Sequence, residues 1–400
     1  MRYSGVMNSR ETSFRNSKFL EEVSFSGSKF QRAAFDKAEF SGDASFRTAE
    51  FSRLVSFRYT KFLKNVVFHG AQFSRSAMFS RAKFLGNASF TDSKFSSLVS
   101  FRGCEFSSNA IFRRTQFSGD SIFHETRFKG PTHFDGSKII GLVTFWSTFF
   151  QTKEDQILSS PIEKHTSFDE IKVDRGGEVR FEGGTCMSRV SLHHADIGRF
   201  SFLDVRWGRL GGRASVMEHG ILEERKRRSK DAELALPDIT PEHVHQIYVR
   251  LRRNLERSAG RYPEAGDFFI NEKEMRKLIL QEGRRWPPPR NLPEWSILKL
   301  YAWLALYGES IMRPVTWGVV AVFVFAALRM VPFVLQTIDS SFNLQTICRL
   351  ARLFPDFVMQ SVMAFFQMRS EPGLDILERL ISVPILGSLF IALKRKFERR

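Results

Sequence analysis

The sequence predicts a mainly β chain with added helices: a repeat solenoid, then a helical hairpin, then a C-terminal membrane domain. Three observations lead to this prediction. Phenylalanine returns every five or six residues through the first third of the chain, and a small or β-branched residue stands two positions before most of these rings. Two long apolar stretches lie near the C-terminus. A chain of 400 residues is long enough for two or three such domains.

The phenylalanine series runs from Phe14 to Phe134 with no Phe out of register. Its steps alternate strictly between five and six residues after Phe40, whereas three consecutive steps of five lie between Phe25 and Phe40. A step of five rotates a helix by about 140°, so alternate rings would leave a helical stripe. A flat strand is excluded as well, because a step of five turns the side chain to the other face.

A second position explains the spacing. Ala82 stands two residues before Phe84, and Ala88 stands two residues before Phe90. Residues two apart on an extended segment point to the same side, so each unit offers one small and one aromatic inward residue. The remaining Ser, Gly, Arg, Lys, Asp and Asn suit turns and solvent, which is typical of a solenoid of short strands. The expected core residues are Phe46, Phe51, Phe57, Phe62, Phe68, Phe73, Phe79, Phe84, Phe90, Phe95, Phe101, Phe106, Phe112 and Phe117.

On these residues the sequence resembles the pentapeptide-repeat proteins of the Phe-centred type, over about residues 14–150. The resemblance implies a right-handed quadrilateral β-helix with the small and bulky residues inside. Four sides would use about 22 residues in each coil, giving about six coils in this range. A degraded form of the repeat, with apolar residues again five or six apart, continues over 165–210.

The domain boundaries follow from this pattern and from composition. They are an N-terminal tail at 1–13, the β-helix at 14–150, an excursion loop at 151–164, degraded closing coils at 165–210, a charged linker at 211–239, a helical hairpin at 240–283, a basic proline-rich connector at 284–294 and a membrane domain at 295–400. The hairpin segment 251–275 is similar to a tetratricopeptide-type hairpin. It also resembles a segment of pentapeptide-repeat proteins that continue into a membrane domain.

Two spans are expected in the membrane domain, at about 315–336 and 374–393. For the second, a buried or interfacial helix is the alternative, because its first turns are charged. Five of the last seven residues are basic, and the residues before the first span are basic too, so the positive-inside rule puts both termini in the cytoplasm. We therefore expect a multi-pass protein of the cell inner (plasma) membrane.

A short apolar helix over 355–367 lies between the two spans, where it would be re-entrant or interfacial. The order of span, short helix and span resembles the two-span pore module of the potassium-channel superfamily, over roughly 297–400. The T-V-G-Y-G filter of that family is absent, and Arg369 would repel cations, so any pore would not be potassium-selective by the usual mechanism. The candidate pore-loop residues are Gln367, Met368, Arg369, Ser370 and Glu371.

Charged residues define two further candidate sites. Arg329 and Glu378 lie near the membrane ends and form a plausible pair between the spans, although each could instead extend to the interface. A basic run in the charged linker could bind nucleic acid or lipid headgroups, with a solvated linker as the alternative. Its residues are Arg225, Lys226, Arg227 and Arg228.

Composition limits the function. The net charge of +17 indicates an anionic neighbour such as a membrane surface. Soluble pentapeptide-repeat proteins that mimic DNA need an acidic surface, whereas residues 14–150 hold 20 Lys and Arg against 11 Asp and Glu, so we do not expect DNA mimicry. The sequence contains none of the common nucleotide-binding, metalloprotease or hydrolase motifs, and we expect neither enzymatic activity nor a cofactor.

Two functions remain open. In the first, the chain is a membrane-anchored cytoplasmic scaffold that contacts the lipid bilayer and a protein partner whose identity the sequence does not indicate. In the second, it is a homo-oligomer, a tetramer if the membrane domain is pore-like, that forms a pore gated through the β-helix.

Overall fold

The computed structural model describes residues 7–150, 165–227, 239–257, 264–281, 292–338, 344–368 and 373–398. The chain divides into two compact units, residues 1–275 and 276–400, with the division inside one helix. The first unit contains a parallel β-solenoid of about eight turns and a group of helices. The second unit is helical.

Most strands of the solenoid hold only two residues, as expected for walls between closely spaced turns. The strands β1 to β32 are, in chain order, Met7–Ser13, Lys18–Phe19, Val23–Ser24, Lys29–Ala34, Glu39–Phe40, Ala44–Ser45, Glu50–Phe51, Val55–Ser56, Lys61–Phe62, Val66–Val67, Gln72–Phe73, Ala77–Met78, Lys83–Phe84, Ala88–Ser89, Lys94–Phe95, Val99–Ser100, Glu105–Phe106, Ala110–Ile111, Gln116–Phe117, Ser121–Ile122, Arg127–Phe128, Thr132–His133, Lys138–Ile139, Leu142–Trp146, Phe149–Phe150, Thr166–Ser167, Lys172–Val173, Glu178–Glu182, Val190–Ser191, Phe200–Leu203, Gly208–Leu210 and Arg213–Ser215.

Parallel pairing arranges these strands in four rows, so the solenoid has four sides. One row has eight strands: β3, β6, β10, β14, β18, β22, β26 and β29. A second has seven: β2, β5, β9, β13, β17, β21 and β25. The other two rows run β7, β11, β15, β19, β23, β27 and β8, β12, β16, β20, β24, β28, β30, and they are joined through β4. Successive strands of a row are one full coil apart in sequence, as in the pairing of Val66 with Ala88 and of Ala88 with Ala110.

The slip in the phenylalanine series explains why β4 joins two rows. Two residues separate Phe30 from Ala33, whereas three separate Phe51 from Val55 one coil later. The corner of this coil has therefore lost a residue, and the chain runs through it as one strand of six residues. β1 covers residues 7–13 of the predicted N-terminal tail and pairs with β4. It bulges opposite the shortened corner. The solenoid therefore already includes Met7.

Stacked aromatic rings fill the solenoid. Every predicted core phenylalanine exposes 1% or less of its surface. The ring of Phe90 stacks on Phe68 and Phe112, one coil to either side, at centroid distances of 4.9 and 5.0 Å and with rings within 4° of parallel. Offset stacking at this distance is favourable beyond the burial of apolar area alone. The rings of opposite sides meet edge to face, as for Phe79 and Phe90 at 5.6 Å.

The five-residue and six-residue steps correspond to two kinds of corner. The five-residue step from Phe79 to Phe84 contains a tight turn, in which Ala82 N–H donates to Phe79 C=O and Arg81 has a φ of +61°. The six-residue step from Phe84 to Phe90 places its extra residue in a wider corner over residues 85–87, as the sequence predicts.

Buried hydroxyl groups line the tight corners of the later coils. Thr115 Oγ1 donates to Phe90 C=O at 2.8 Å, and Thr126 Oγ1 donates to Phe101 C=O at 2.9 Å. The same bond, always to the carbonyl of a phenylalanine in the preceding coil, recurs in most of these coils, and a polar group can therefore occupy an inward position without losing its hydrogen bond. The other donors are Thr60, Ser93, Ser137 and Thr148, and the Cys104 thiol makes the equivalent contact.

Strand pairing and ring stacking between coils continue past the interruption between Phe150 and His165. Thr132 pairs with Thr166, so the coil that contains the interruption is longer than the regular coil that separates Ala110 from Thr132. The ring of Phe168 still stacks on Phe134 at 4.8 Å. The predicted excursion, 151–164, lies outside the described residues. The degraded coils after it continue three of the four rows, whereas the seven-stranded row ends at β25.

Part of the predicted charged linker, 211–239, forms regular secondary structure. Its residues form β32 and the helix α1, Met217–Arg227, after which residues 228–238 lie outside the described part of the chain. Within α1, Ile221 and Leu222 are 2% and 6% exposed. Burial of these apolar side chains accounts for a helix that the surrounding charges conceal in the sequence.

Helices α2, Pro241–Arg257, and α3, Glu264–Gln281, form the predicted hairpin, and within the first unit they pack on the last coils of the solenoid. The Asn254 amide donates to the carbonyls of Ile197 and Phe200, at 3.0 and 2.6 Å. The indole ring of Trp207 meets Phe268 edge to face at 4.9 Å. These contacts cover the final coil, whose backbone would otherwise be exposed.

A buried polar group connects α1, α2 and α3. The Tyr248 hydroxyl lies 2.8 Å from His219 Nδ1, and Asn271 Nδ2 donates to it at 3.3 Å. Burial lowers the pKa of His219 to about 4, so this imidazole is neutral in the folded protein at neutral pH. Burial also raises the pKa of the neighbouring Glu218 carboxyl, which accepts hydrogen bonds from Ser191 and Leu192 N–H.

The second unit contains four helices in its described residues. They are α4, Leu292–Ala305, α5, Met312–Ile338, α6, Leu344–Phe365, and α7, Leu374–Glu398, with a 3₁₀ turn at Leu306–Gly308. The 22 residues of α6 exceed the short helix over 355–367 that the sequence predicts. Pro355, which stands at the start of that predicted helix, lies inside α6 instead; proline removes one backbone hydrogen bond and does not end the helix here.

Phe90→Asp is expected to unfold several coils of the solenoid, because it places a charge without a partner among stacked rings. The free energy of unfolding, measured by urea unfolding followed by far-UV circular dichroism, should fall by more than about 4 kcal/mol. Arg81→Asp is the matched control, since Arg81 is exposed at a position with positive φ that Asp tolerates. Equal destabilisation by the two variants would contradict the inward and outward assignment.

The packing of α1, α2 and α3 on one another is expected to lose stability on acidification. The pKa of His219 is lower in the folded than in the unfolded state, so its contribution is complete above about pH 6.5 and declines as the pH falls towards 4. The wild-type protein should lose about 1–3 kcal/mol over this range that His219→Gln, which keeps a hydrogen-bond acceptor for Tyr248, does not lose. Urea unfolding at a series of pH values measures the difference, and parallel pH profiles would exclude this role.

Candidate functional site

Two helices of the second unit expose most of their apolar side chains. The stretches Met312–Pro332 of α5 and Leu374–Phe397 of α7 are long and apolar enough to cross a membrane, and only 28% of the most apolar part of each is buried. A core helix of a soluble protein would be mostly buried. The exposed residues are Met312, Val315, Val319, Val320, Phe323, Val324, Leu328, Val331 and Leu335 on α5, and Ile376, Leu377, Leu380, Ile381, Val383, Phe390, Ile391 and Phe397 on α7.

The opposite faces of these helices pack on α4 and α6. Leu304, Val322, Phe365 and Ile385 form a common apolar core, with one residue from each helix. Gly318 lets α5 approach α6 closely, because a Cβ atom at this position would lie 3.2 Å from Phe365 Cζ. The four helices therefore form a bundle with a packed interior and an apolar exterior.

A cluster of charged and polar side chains lies inside this bundle. Arg329 of α5 donates through Nη1 to Glu378 Oε2 at 2.6 Å and to the Ser361 hydroxyl of α6. Its Nη2 contacts Asp375 Oδ1. The Arg329 and Asp375 side chains are 8% and 7% exposed, and Glu378 is fully buried. The sequence pairs Arg329 with Glu378, and the structure places these two side chains in contact.

The two carboxylates are on one face of α7, because Asp375 and Glu378 are three residues apart. This spacing is the signal that could have added Asp375 to the site from the sequence. Arg329 thus connects all three of the longest helices in this unit by one guanidinium. A buried charge cluster of this kind costs several kcal/mol when a single partner is removed.

The candidate pore-loop residues lie after the end of α6. Gln367 has a φ of +64°, and its carbonyl accepts a hydrogen bond from Arg379 Nη2 at 3.2 Å. The Met368 side chain is 79% exposed. Arg369, Ser370 and Glu371 lie outside the described residues. The described part of this segment is an exposed turn, and one of its carbonyls is engaged by an arginine of α7.

The predicted basic run lies at the end of α1. Lys226 Nζ donates to Glu223 Oε1 at 2.8 Å, one helical turn earlier, and Arg225 Nη1 donates to Ile239 C=O at 3.4 Å. Arg227 ends the helix, and its side chain and the whole of Arg228 lie outside the described part of the chain. Two of the four cations are therefore engaged within the first unit.

Ion pairs between successive coils cover the outside of the solenoid. Arg114 makes two hydrogen bonds of 2.7 Å to Asp92, one coil below, and these bonds lower the pKa of the Asp92 carboxyl. Lys138 pairs with Asp174 at 3.1 Å in the same manner. Basic residues outnumber acidic ones over 14–150, so the outer faces keep a positive excess after such pairing.

The described residues contain no group of three or more His, Cys, Asp or Glu side chains that could hold a metal ion. Comparison with known proteins gives one family match. Residues 35–83 and 79–127 match the family model of pentapeptide repeats with nine copies. No curated protein and no solved structure matches the chain significantly. The match covers the regular coils with the alternating steps and the stacked phenylalanines, so residues 35–127 consist of pentapeptide repeats. The solenoid is followed by helices that include two long and apolar enough to cross a membrane.

Proposed function

We propose that the protein is a membrane-anchored scaffold, in which the solenoid is a cytoplasmic rod that contacts a protein partner or the membrane surface. The observation that carries this proposal is the exposure of apolar side chains along α5 and α7. Lipid is the environment in which such faces are stable without further burial. A non-enzymatic role agrees with an interior that is filled by phenylalanine.

The charge of the solenoid's outer faces indicates the kind of partner that the rod would contact. Their excess of Arg and Lys favours an anionic lipid surface or an acidic protein surface. Paired charges between coils hold many of these side chains in a regular array, as Arg114 and Asp92 do. A rigid array of this kind suits recognition of an extended partner better than catalysis.

Basic residues at the ends of α5 and α7 support an orientation of these helices in the membrane. Arg313 lies at the start of α5, and Lys394, Arg395 and Lys396 lie in the last turns of α7. Under the positive-inside rule these ends lie in the cytoplasm and the α5–α6 connection on the other side. The plasma membrane is the compartment that we propose.

A pore is the second candidate, and the Arg329 cluster is the observation that favours it. Ionisable groups inside a membrane often mark an ion pathway. Such a pore would need several copies of the two-span unit, four if it is built like the channels that the sequence resembles. The cluster would then act in conduction or gating, whereas in an anchor it only joins the helices.

The anchor proposal predicts the topology of the chain. Reporter domains fused after residue 400 and inserted near residue 286 should both report the cytoplasm. A reporter inserted between residues 339 and 343 should report the opposite side, because one span precedes it. Full-length protein should also stay with the membranes after a high-salt wash. Release by salt alone, or a cytoplasmic report from all three positions, would contradict two spans.

Substitution of Arg329 separates an anchor from a pore. For an anchor, Arg329→Gln should lower stability in detergent by about 3–5 kcal/mol, because Asp375 and Glu378 lose their partner, and full-length protein should give no conductance in planar bilayers. Arg352→Gln, at an exposed position of α6, is the control and should change neither property. A steady conductance whose ion selectivity changes in Arg329→Gln alone would support the pore and contradict the anchor.

A further inference from the structure

A cleft lies in the first unit between the last coils of the solenoid and helix α2. Its volume is about 880 Å³, which is large enough for a small organic ligand. Residues 176–178 and 194–201 form one side, and α2 forms the other with Arg250, Arg253 and Asn254. Polar and charged side chains form most of the lining.

Three arginines face this cleft from both of its sides. Arg199 belongs to the 3₁₀ turn Ile197–Arg199 before β30, and Arg250 and Arg253 belong to α2. Arg199 Nη1 donates to Arg175 C=O at 2.6 Å, and Arg250 Nη1 donates to Ala195 C=O at 3.3 Å. These bonds orient the two guanidinium groups and use few of the five donors that each carries.

The carboxylates of the cleft do not neutralise these arginines. Glu178 is engaged by Arg180, which donates to both of its oxygens at 2.8 and 2.7 Å. Asp196 Oδ1 accepts from Gly198 N–H at 3.3 Å. Among the described residues, the structure has no carboxylate within ion-pair distance of Arg199, Arg250 or Arg253. With Glu178 paired to Arg180, the three arginines face one further carboxylate, Asp196, so the cleft has an excess of positive charge that favours an anion.

The side of the cleft formed by the solenoid includes Gly176. Gly176 has an ordinary φ, and a Cβ atom there would meet only Ile140 C=O at 3.7 Å. Neither backbone conformation nor packing therefore requires glycine at this position. A residue without a side chain instead leaves room for a bound group to approach the backbone.

We propose that this cleft binds a phosphate-bearing anion, which is held between Arg199 on the solenoid and Arg250 and Arg253 on α2. The planar fork of guanidinium donors matches phosphate oxygens in geometry and charge. Because the arginines come from two elements, the bound anion also fastens the helical hairpin to the final coil. This site is independent of the proposed membrane anchor, since all its residues lie in the first unit.

Calorimetric titration of inorganic pyrophosphate into full-length protein tests the site, with the protein in nanodiscs of phosphatidylcholine. Binding should weaken at high salt, and at least about tenfold in the double variant Arg199→Gln/Arg253→Gln. Arg209→Gln, at an exposed position of β31 outside the cleft, is the matched control and should bind as the wild type does. Far-UV circular dichroism of each variant establishes that the fold is retained.

A second arm identifies the source of the phosphate. Vesicles of phosphatidylcholine with phosphatidic acid are floated with the same nanodisc samples. Binding of pyrophosphate alone supports a soluble ligand, and binding to the vesicles that the double variant loses and Arg209→Gln retains supports a lipid headgroup. Absence of binding in both arms, or equal weakening by Arg209→Gln and the double variant, overturns the proposal.

Discussion

Stacking of phenylalanine rings between successive coils is the interaction on which the solenoid depends. Ring centroids one coil apart are about 4.5–5.5 Å from each other, as for Phe84 and Phe106 at 4.5 Å and Phe95 and Phe117 at 5.5 Å. This distance is close to the spacing of hydrogen-bonded strands, about 4.8 Å, so one repeat satisfies ring stacking and backbone pairing together. A two-residue strand has little stability of its own. The stacked rings and the turn hydrogen bonds stabilise rows of such strands, and this requires the strict alternation of short and long steps in each regular coil.

Because phenylalanine side chains fill the interior of the solenoid, any functional site must lie on its outer faces or on the helices. The rings that could bind an aromatic or nucleic-acid ligand are buried, and the basic side chains between them are exposed and partly paired across coils. Helices α5 and α7 show the reverse distribution. The charged side chains of Arg329, Asp375 and Glu378 are buried, and most of the large apolar side chains of these two helices are exposed. Water is the natural surrounding of the first distribution and lipid that of the second.

The repeat could be derived from sequence because one local rule applies many times, and each phenylalanine reports the same environment. Features that arise once were harder to derive. Helix α1 depends on burial of Ile221 and Leu222, and the charged residues that follow them hide this apolar face in the sequence. The role of Asp375 requires the α5–α7 arrangement, although its spacing from Glu378 was visible. The cleft arginines come from segments far apart in the chain, and no local pattern connects Arg199 with Arg250.

The enlarged coil between Thr132 and Thr166 has a consequence for how such a rod can change. A coil that receives additional residues at one corner still delivers Phe168 onto Phe134. Each ring is thus positioned by the coil beneath it rather than by the length of chain that precedes it. Additional residues between Phe150 and Thr166 are therefore compatible with an uninterrupted ring stack. Diversity in this architecture is expected to accumulate at corners while the walls remain uniform.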